Sequence, residues 1–444
     1  MNAPLYPFQA DAAARVAGDE RIYLGFDPGL GKSRTALEAA KRRKAQTVLI
    51  ICPASGRYVW ERECGLWWPT MPFTTVSGPS DLGKLSLLPG IVLITYGLLS
   101  QKGSPYVDAV AMRTRPFDMT ILDEAAAVKN TGANRTRAIL GKMFSKLGYL
   151  LPLSGTPAPN HAGELYPILR ALHPSAIQAG RSVMTQWEFE DVFCRVVSKR
   201  FGGGPSVRVI EGSKNLPELR RRLEGFMVRV RKEDVLKDLP PIRYDVVPLA
   251  VSSMAQPAMP DIVDDDAFLR YLSASGEEHI MRLRRLLGVA KCLPAIEYID
   301  DFLTNLPASK KVLVFAHHTS VIDGLIQGLA DWQPAMIVGA STTKERTAAV
   351  NRFLGDHSCR IIIGNIQAAG TGLTLVGPNC DCSDVIFVES SFSAADNAQA
   401  ACRVHRIGQS EAVIARFLTA HGTIDDRIQS ILARKAKDFD QLFN

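Results

Sequence analysis

The sequence predicts an α/β fold: two doubly wound parallel-sheet lobes with helical protrusions between them. Three observations carry that expectation. Short apolar runs alternate with helical patterns in two separate series, the sequence form of parallel sheets. A glycine-rich turn follows the first of those runs. The chain has 444 residues, more than one core ordinarily organises and a fit for two domains of roughly 200 residues each.

The first series contains Tyr23-Leu-Gly25, Thr47–Cys52, Ile91–Thr95, Met119–Leu122 and Tyr149–Leu153. The second contains Lys311–Ala316, Met336–Val338, Arg360–Ile363, Asp384–Val388 and Val413–Phe417. Strands this apolar are buried on both faces and carry ligands at their C-terminal ends. Between the series the texture changes. Residues from about 160 to 240 read as helical, basic and aromatic-bearing, and Val251–Asp266 is rich in Pro and Asp, as a loop or linker is. A helical, basic run follows from His279 to Lys291. The expected organisation is an N-terminal lobe over 1–245 with a basic protrusion at about 160–240. A linker and second helical protrusion over 246–295 and a C-terminal lobe with a terminal brace helix over 296–444 complete it.

Composition narrows the class. Hydrophobic residues make up 46% and charged residues 22%, a globular balance, and no apolar run approaches the ~18 residues of a membrane span. The first residues lack the basic-then-apolar order of a signal peptide. The eight cysteines are scattered, and Cys380-Asp-Cys382 has no second pair at zinc-site spacing. Reduced thiols in a cytoplasmic protein are the expectation. The net charge of +7 is mild, compatible with nucleic acid without demonstrating it. It is uneven, however: Arg195 to Lys232 holds eleven Lys/Arg against three Glu. By itself that run reads as a solvated helical face.

The first motif is Gly25-Phe-Asp-Pro-Gly29-Leu-Gly31-Lys32-Ser33, laid out as strand, tight turn and helix. Gly29 and Gly31 let backbone N–H groups approach phosphate oxygens that a Cβ would keep away. Lys32 supplies a point charge to β/γ-phosphates, Ser33 a hydroxyl to Mg²⁺, and the helix N-terminus a favourable dipole. Phe26 stands where the usual pattern has its first glycine. The second motif, Ile121-Leu-Asp123-Glu124, ends an apolar run in two carboxylates. A hydrolytic nucleotide site needs one to hold Mg²⁺ through its waters and one to orient the attacking water. Asp123 fits the first role and Glu124 the second, and a plain acidic turn is the alternative. Leu153-Ser-Gly-Thr-Pro157 ends the last run of the first series in a turn. Downstream come Gly370-Thr371-Gly372-Leu373 and Arg403-Val-His-Arg406-Ile-Gly-Gln409. Arg403 and Arg406, three apart, are expected on one helical face, able to reach a γ-phosphate; an ordinary surface pair is the other reading.

In this order the blocks resemble a superfamily 2 nucleic-acid motor of the Swi/Snf class over nearly the whole chain. The most specific is Arg403–Gln409, similar to the R-x-H-R-I-G-Q block of that class. Ile51–Ser55 with Trp60, Ile94–Ser100, Val128-Lys129-Asn130 and Met227-Val-Arg229 with Leu236–Pro241 match further. Val314-Phe-Ala-His-His318 is most similar to the HARP-like, annealing-helicase branch. The resemblance implies two RecA-like lobes with ATP and Mg²⁺ in a cleft. Lys32, Ser33, Asp123 and Glu124 would come from one side, Arg403 and Arg406 from the other, and Gln9 would read adenine. It makes Ser55, Thr95, Lys129 and Thr371 candidates for phosphate contacts on double-stranded DNA, contacts that position rather than read sequence. It also sets the basic 195–232 segment near the duplex and the Thr423–Ile428 tail as a brace.

Two departures qualify the resemblance. The class usually has a histidine two residues after the glutamate, where this chain has Ala126; hydrolysis is expected to survive, with coupling of ATP to DNA weaker or rerouted. Within these 444 residues no chromatin-reading module, zinc finger, nuclease block or added HARP-type domain is expected beside the motor. The implied function is a DNA-stimulated ATPase that translocates on duplex DNA and remodels forks, branched DNA or protein–DNA complexes. A strand-separating DNA or RNA helicase and a non-hydrolysing, ATP-gated DNA-binding scaffold are the alternatives. A monomeric, nucleoid-associated motor of bacterial or phage origin, without a membrane partner, is the expected setting.

Overall fold

The computed structural model describes residues 4–86, 89–200, 206–251, 265–366, 375–377, 380–406, 408–426 and 428–429, with side chains except at 199–200, 265–278 and 343. Two compact units emerge. The first is built from residues up to Ser198 and from Arg208–Lys237, the second mostly from Asp238 onward. Thr371 of the sequence reading lies outside the described residues, as do Gly370, Gly372, Leu373 and residues 252–264.

The first unit is organised by a seven-stranded, all-parallel sheet. Its strands are β1 (Tyr23–Phe26), β2 (Thr47–Cys52), β3 (Phe73–Thr75), β4 (Gly90–Thr95), β5 (Met119–Asp123), β6 (Tyr149–Leu153) and β7 (Met227–Val230). Their spatial order is β7-β1-β6-β5-β2-β4-β3. The unbroken burial of β1, β2 and β6 follows from cover on both faces. Successive side chains go to opposite faces: Leu49, Ile51, Val92, Ile94 and Leu122 enter one core. Val48, Ile50, Ile91, Leu93 and Ile121 enter the other, with Trp60 and the α1 (Pro7–Ala17) and α2 (Lys32–Arg42) residues.

The second unit repeats the plan with six parallel strands. They are β8 (Ile242–Leu249), β9 (Lys310–Ala316), β10 (Ala335–Ile337), β11 (Ile361–Asn365), β12 (Asp381–Phe387) and β13 (Val413–Ala420), in the order β8-β13-β12-β9-β11-β10. Leu313, Phe315, Val385 and Phe387 face one core, Val312, Val314, Ile386 and Val388 the other. Fold class and doubly wound architecture therefore agree with the sequence reading.

The stretch between the two series is organised differently from its composition. Helices occur at Tyr166–Leu172, Gln186–Phe193 and Leu216–Leu223. The expected helical character of 160–240 is interrupted, however, by strands Cys194–Arg200 and Ser206–Ser213, which pair as a ribbon, and by β7. The cause is local. Cys194-Arg-Val-Val and Ser206-Val-Arg-Val-Ile are rich in β-branched residues set among charges, and β-branched residues favour a pleated surface. The charge density hid it. Strand β8 runs across the expected 245/246 boundary into the second sheet, and one helix, Asp265–Asn305, runs across 295/296.

Gly148 closes the turn into β6 at φ +60°, and a Cβ there would stand 1.9 Å from Phe117 O. Gly148→Ala should therefore lower the urea midpoint of the first unit by the equivalent of about 1–3 kcal/mol or more. Gly141→Ala, where no atom lies within 4 Å, is the matched control. Equal midpoints for the two variants would contradict the assigned turn.

Candidate active site

Parallel strands align all their C-terminal ends along one edge, and the sequence-derived residues of the first unit collect there. Asp27–Gly31 follows β1, Ser55 follows β2, and Thr95 ends β4. Asp123 ends β5 and Glu124 follows it, Lys129 lies one short turn further, and Ser154-Gly155-Thr156 follows β6.

The loop after β1 takes left-handed backbone at Gly29 (φ +93°) and Gly31 (φ +77°), the latter capping the N-terminus of α2. Only glycine adopts both readily. Space is limited as well: a Cβ on Gly31 would come within 2.5 Å of Gln9 Nε2. Lys32 opens α2 and donates from Nζ to Phe26 O at 2.9 Å, which lays its ammonium back across the loop. Ser33 is the second residue of that helix. Gln9, 2% exposed, donates to Leu30 O at 3.0 Å and accepts from Tyr6 N at 3.1 Å. Its amide thus fastens α1 to the phosphate loop while leaving one N–H and one lone pair beyond these two bonds.

The carboxylates sit on a strained turn. Glu124 has φ +49°, uncommon for a residue with a Cβ, and such outliers concentrate at functional sites. Asp123 Oδ2 accepts from Trp60 Nε1 at 2.8 Å, and Asp123 Oδ1 accepts from Glu124 N at 3.1 Å. Burial, and then the neighbouring Glu124 charge, push Asp123 up to about 6, against the pull of the Trp60 N–H and Lys32. Two carboxylates at adjacent positions, one desolvated, make an environment that a divalent cation stabilises. The donor set of hard oxygens from Asp123 and Ser33 suits Mg²⁺. Tyr96 braces the same turn by donating its phenol to Asp123 O at 2.7 Å. Ser154 Oγ donates to Glu124 Oε2 at 3.4 Å, and Thr156 N donates to Ser154 Oγ at 3.1 Å, so the turn after β6 touches the glutamate directly. Ala126, where the class has its histidine, lies in the short turn Ala125–Val128.

Among the DNA-contact candidates, Lys129 is ion-paired with the buried Glu164 at 2.7 Å, and Glu164 also accepts from Asn160 Nδ2 at 2.8 Å. Much of the basic run is likewise engaged within the chain. Arg221 and Arg222 pair with Glu218, Arg231 with Glu233 and Asp234, and Arg229 with Asp27 at 2.6 Å. A segment read as an open cationic face is therefore in good part internally neutralised.

In the second unit the arginine block departs from expectation. Its helix, Ala394–Ala401, ends before both arginines, so Arg403 and Arg406 do not share a helical face. The chain turns instead, closed by Gly408 at φ +99° and by Leu375 N donating to Arg403 O at 3.0 Å. Arg403, 2% exposed, donates from Nε to Gln399 O at 3.1 Å. Arg406 Nε does the same to Cys402 O at 2.8 Å. Both cap carbonyls at a helix end where cations are favoured. His405 Nε2–H donates to Pro240 O at 2.8 Å, and Gln409 Nε2 to Cys382 O at 2.8 Å. Two of the most specific letters of the block thus fix it to β12 and to the segment entering β8.

Trp60 and Arg229 are contacts that spacing did not assign. Trp60 lies 63 positions before its carboxylate and Arg229 lies 202 after its own. Trp60 was legible only as a match to the class, and no local pattern pairs Arg229 with Asp27.

Comparison with known proteins gives the following. The family model "SNF2-related domain" matches residues 23–295, and "Helicase conserved C-terminal domain" matches 294–408. "DNA annealing helicase and endonuclease ZRANB3" of Bos taurus is 30% identical over 98% of this chain and 40% of its own length. "SWI/SNF-related matrix-associated actin-dependent regulator of chromatin subfamily A-like protein 1" of Xenopus tropicalis is 29% identical over 99% of this chain and 45% of its own. The chain thus spans under half the length of these relatives. A solved structure, "Sulfolobus solfataricus SWI2/SNF2 ATPase core in complex with dsDNA", covers 98% of this chain and is itself covered to 92%. Its identity is 21% and its TM-score 0.44.

Trp60→Phe removes the one N–H that Trp60 donates to Asp123. The Mg²⁺ concentration for half-maximal nucleotide binding should rise roughly tenfold or more. Trp67→Phe, whose ring N–H serves Glu63 instead, should leave it unchanged. An unmoved Mg²⁺ requirement in Trp60→Phe would remove Asp123 from the metal role.

Proposed function

The chain belongs to the SNF2-related family, and on that premise we propose that it is a DNA-stimulated ATPase that translocates along double-stranded DNA. The observation that carries this reading is the gathering of Lys32, Asp123 and Glu124 at the C-terminal edge of one parallel sheet. There a glycine-shaped loop, a helix N-terminus and two carboxylates adjoin.

Each residue has a defined task in that reading. Gly29 and Gly31 hold the loop so that its N–H groups face the phosphates, and Lys32 neutralises the β/γ oxygens. Gln9 presents its remaining N–H and lone pair to the adenine edge. Ser33 and Asp123 would hold Mg²⁺, which when bound would offset the negative charge of the phosphates. Glu124 orients a water whose oxygen attacks the γ-phosphorus. The bond from that phosphorus to the bridging oxygen breaks, releasing ADP and phosphate. Arg403 and Arg406 supply positive charge to the transition state, worth about 10³–10⁵ in rate in other phosphoryl-transfer systems. Ser154 against Glu124 gives the site a route for sensing the polynucleotide track that does not need a histidine at position 126.

Ser55, Thr95, Lys129 and Thr371 contact the DNA backbone in this reading. The relatives' names place annealing-helicase and chromatin-regulator proteins beside this chain, which supports forks, branched DNA or protein–DNA complexes as its targets. A monomeric motor in the cytoplasm, working at the nucleoid, completes the proposal. No described helix is long and apolar enough to cross a membrane. The expected bacterial or phage origin takes no support from these relatives, which come from animals.

Steady-state ATP turnover should be strongly stimulated by duplex DNA, with Lys32→Ala as blank. Glu124→Gln should lower turnover by at least about 10²-fold while retaining ATP. Stimulation only by single strands or RNA would favour a strand-separating helicase, and tight ATP binding without turnover would favour a scaffold. Duplex affinity should fall with salt along a log–log slope of about −0.9 per phosphate neutralised. A flat salt response contradicts backbone tracking.

A further inference from the structure

We propose that Arg229 is a positioning residue of the phosphate loop, acting by neutralising Asp27, an acid lodged within an anion cradle. This rests on the nucleotide reading above. Strand β7 pairs in parallel with β1, with Gly25 opposite Arg229. From there the guanidinium pairs with Asp27 Oδ1 at 2.6 Å and donates to Gly25 O at 2.7 Å and to Gly155 O at 3.4 Å. It therefore touches the start of the phosphate loop, the loop's own acid, and the turn after β6. Asp27 O accepts from Leu30 N at 3.2 Å within the loop, and two further polar atoms of Asp27 go to the same edge strand and its exit. Asp27 Oδ2 accepts from Lys232 N at 3.0 Å, and Asp27 N donates to Val230 O at 3.0 Å. The pair is well shielded, with 12% of the arginine side chain and 23% of the aspartate side chain exposed.

The charge logic is specific. Asp27 stands two residues before Gly29, in a loop shaped for a polyanion, and an unpaired carboxylate there repels phosphate through a poorly screened path. Arg229 cancels that charge and fixes the loop's entry at the same time. The cushion between the loops is tight: a Cβ on Gly155 would lie 2.9 Å from Pro28 Cδ, so a shift in one loop moves the other. Lysine keeps the charge but, as a compact ammonium without the planar fork, does not span the Asp27 carboxylate and both carbonyls together.

The experiment measures the dissociation constant of a fluorescent ADP, N-methylanthraniloyl-ADP, together with KM and kcat for ATP and the melting midpoint. It uses the full chain as parent, Arg229→Ala, Arg229→Lys, and the double variant Asp27→Asn/Arg229→Ala. Arg229→Ala should weaken ADP at least about tenfold and raise KM more than it lowers kcat. Arg229→Lys should fall between parent and Arg229→Ala. The double variant should recover most of the lost affinity, because it removes the acid left unpaired. A purely structural arginine would lower the melting midpoint without that recovery, and such a result overturns the proposal. If Arg229→Ala does not fold, Arg229→Lys with unchanged ADP affinity overturns it equally. A parent chain that binds ADP while Arg229→Ala binds as well sinks the clamp alone; a parent that binds no nucleotide sinks the functional reading and the clamp with it.

Discussion

A parallel strand covered on both faces has nowhere to keep polar chemistry except its ends, and the first unit of this protein depends on that constraint. Its sheet commits alternate residues of β2 and β5 to two separate apolar cores, so Leu49 and Ile50 are both fully buried though they point in opposite directions. The candidate residues then collect at the C-terminal edge, at the ends of β1, β2, β4, β5 and β6 and in the loops that follow them. The phosphate loop, the Asp123-Glu124 turn and the Ser154–Thr156 turn are neighbours because β1, β6 and β5 are consecutive in the sheet.

Electrostatics is the second organising force. Asp27, Asp123 and Glu124 put three carboxylates where a polyanion is expected, and each is managed separately. Arg229 neutralises Asp27. Trp60 and Lys32 offset the charge on Asp123, whose proton affinity is nonetheless raised by burial and by Glu124. Ser154 reaches Glu124. The arrangement favours a cation between the acids and phosphate on the loop side, and disfavours either acid left bare. The left-handed backbone at Glu124 is part of the same arrangement, since it is there that the chain turns out of the core.

The second unit shows how a recognisable block divides its labour. In Arg403–Gln409, the histidine and glutamine anchor the turn to Pro240 and Cys382. The arginines fold back on Gln399 and Cys402. Nearby, Lys291, 2% exposed, donates to Val388 O, Leu418 O and Asp425 Oδ2, each at 2.7–3.0 Å, and ties the long helix to the ends of β12 and β13. A buried cation satisfied by three acceptors fixes register strongly, because removing any partner leaves a charge uncompensated. Within Arg403–Gln409, anchoring groups and charged groups thus stand side by side, the histidine and glutamine holding the turn that carries the two arginines.

Hydrophobic periodicity, glycine placement and carboxylates at run ends are local properties. From them the sequence by itself determined two parallel α/β lobes, the turn at Gly29–Gly31 and the acids at 123–124. Local charge density misled it over 194–213, where β-branched residues made a ribbon, and simple spacing misled it over Arg403 and Arg406, where the helix stops at Ala401. Only the tertiary structure decided that Trp60 serves Asp123, that Arg229 serves Asp27 and that β7 returns to pair with β1. The physical reason is range. A turn or a strand is set by neighbours within a few residues, whereas an ion pair across 202 positions exists only after β7 has paired with β1 in the same sheet.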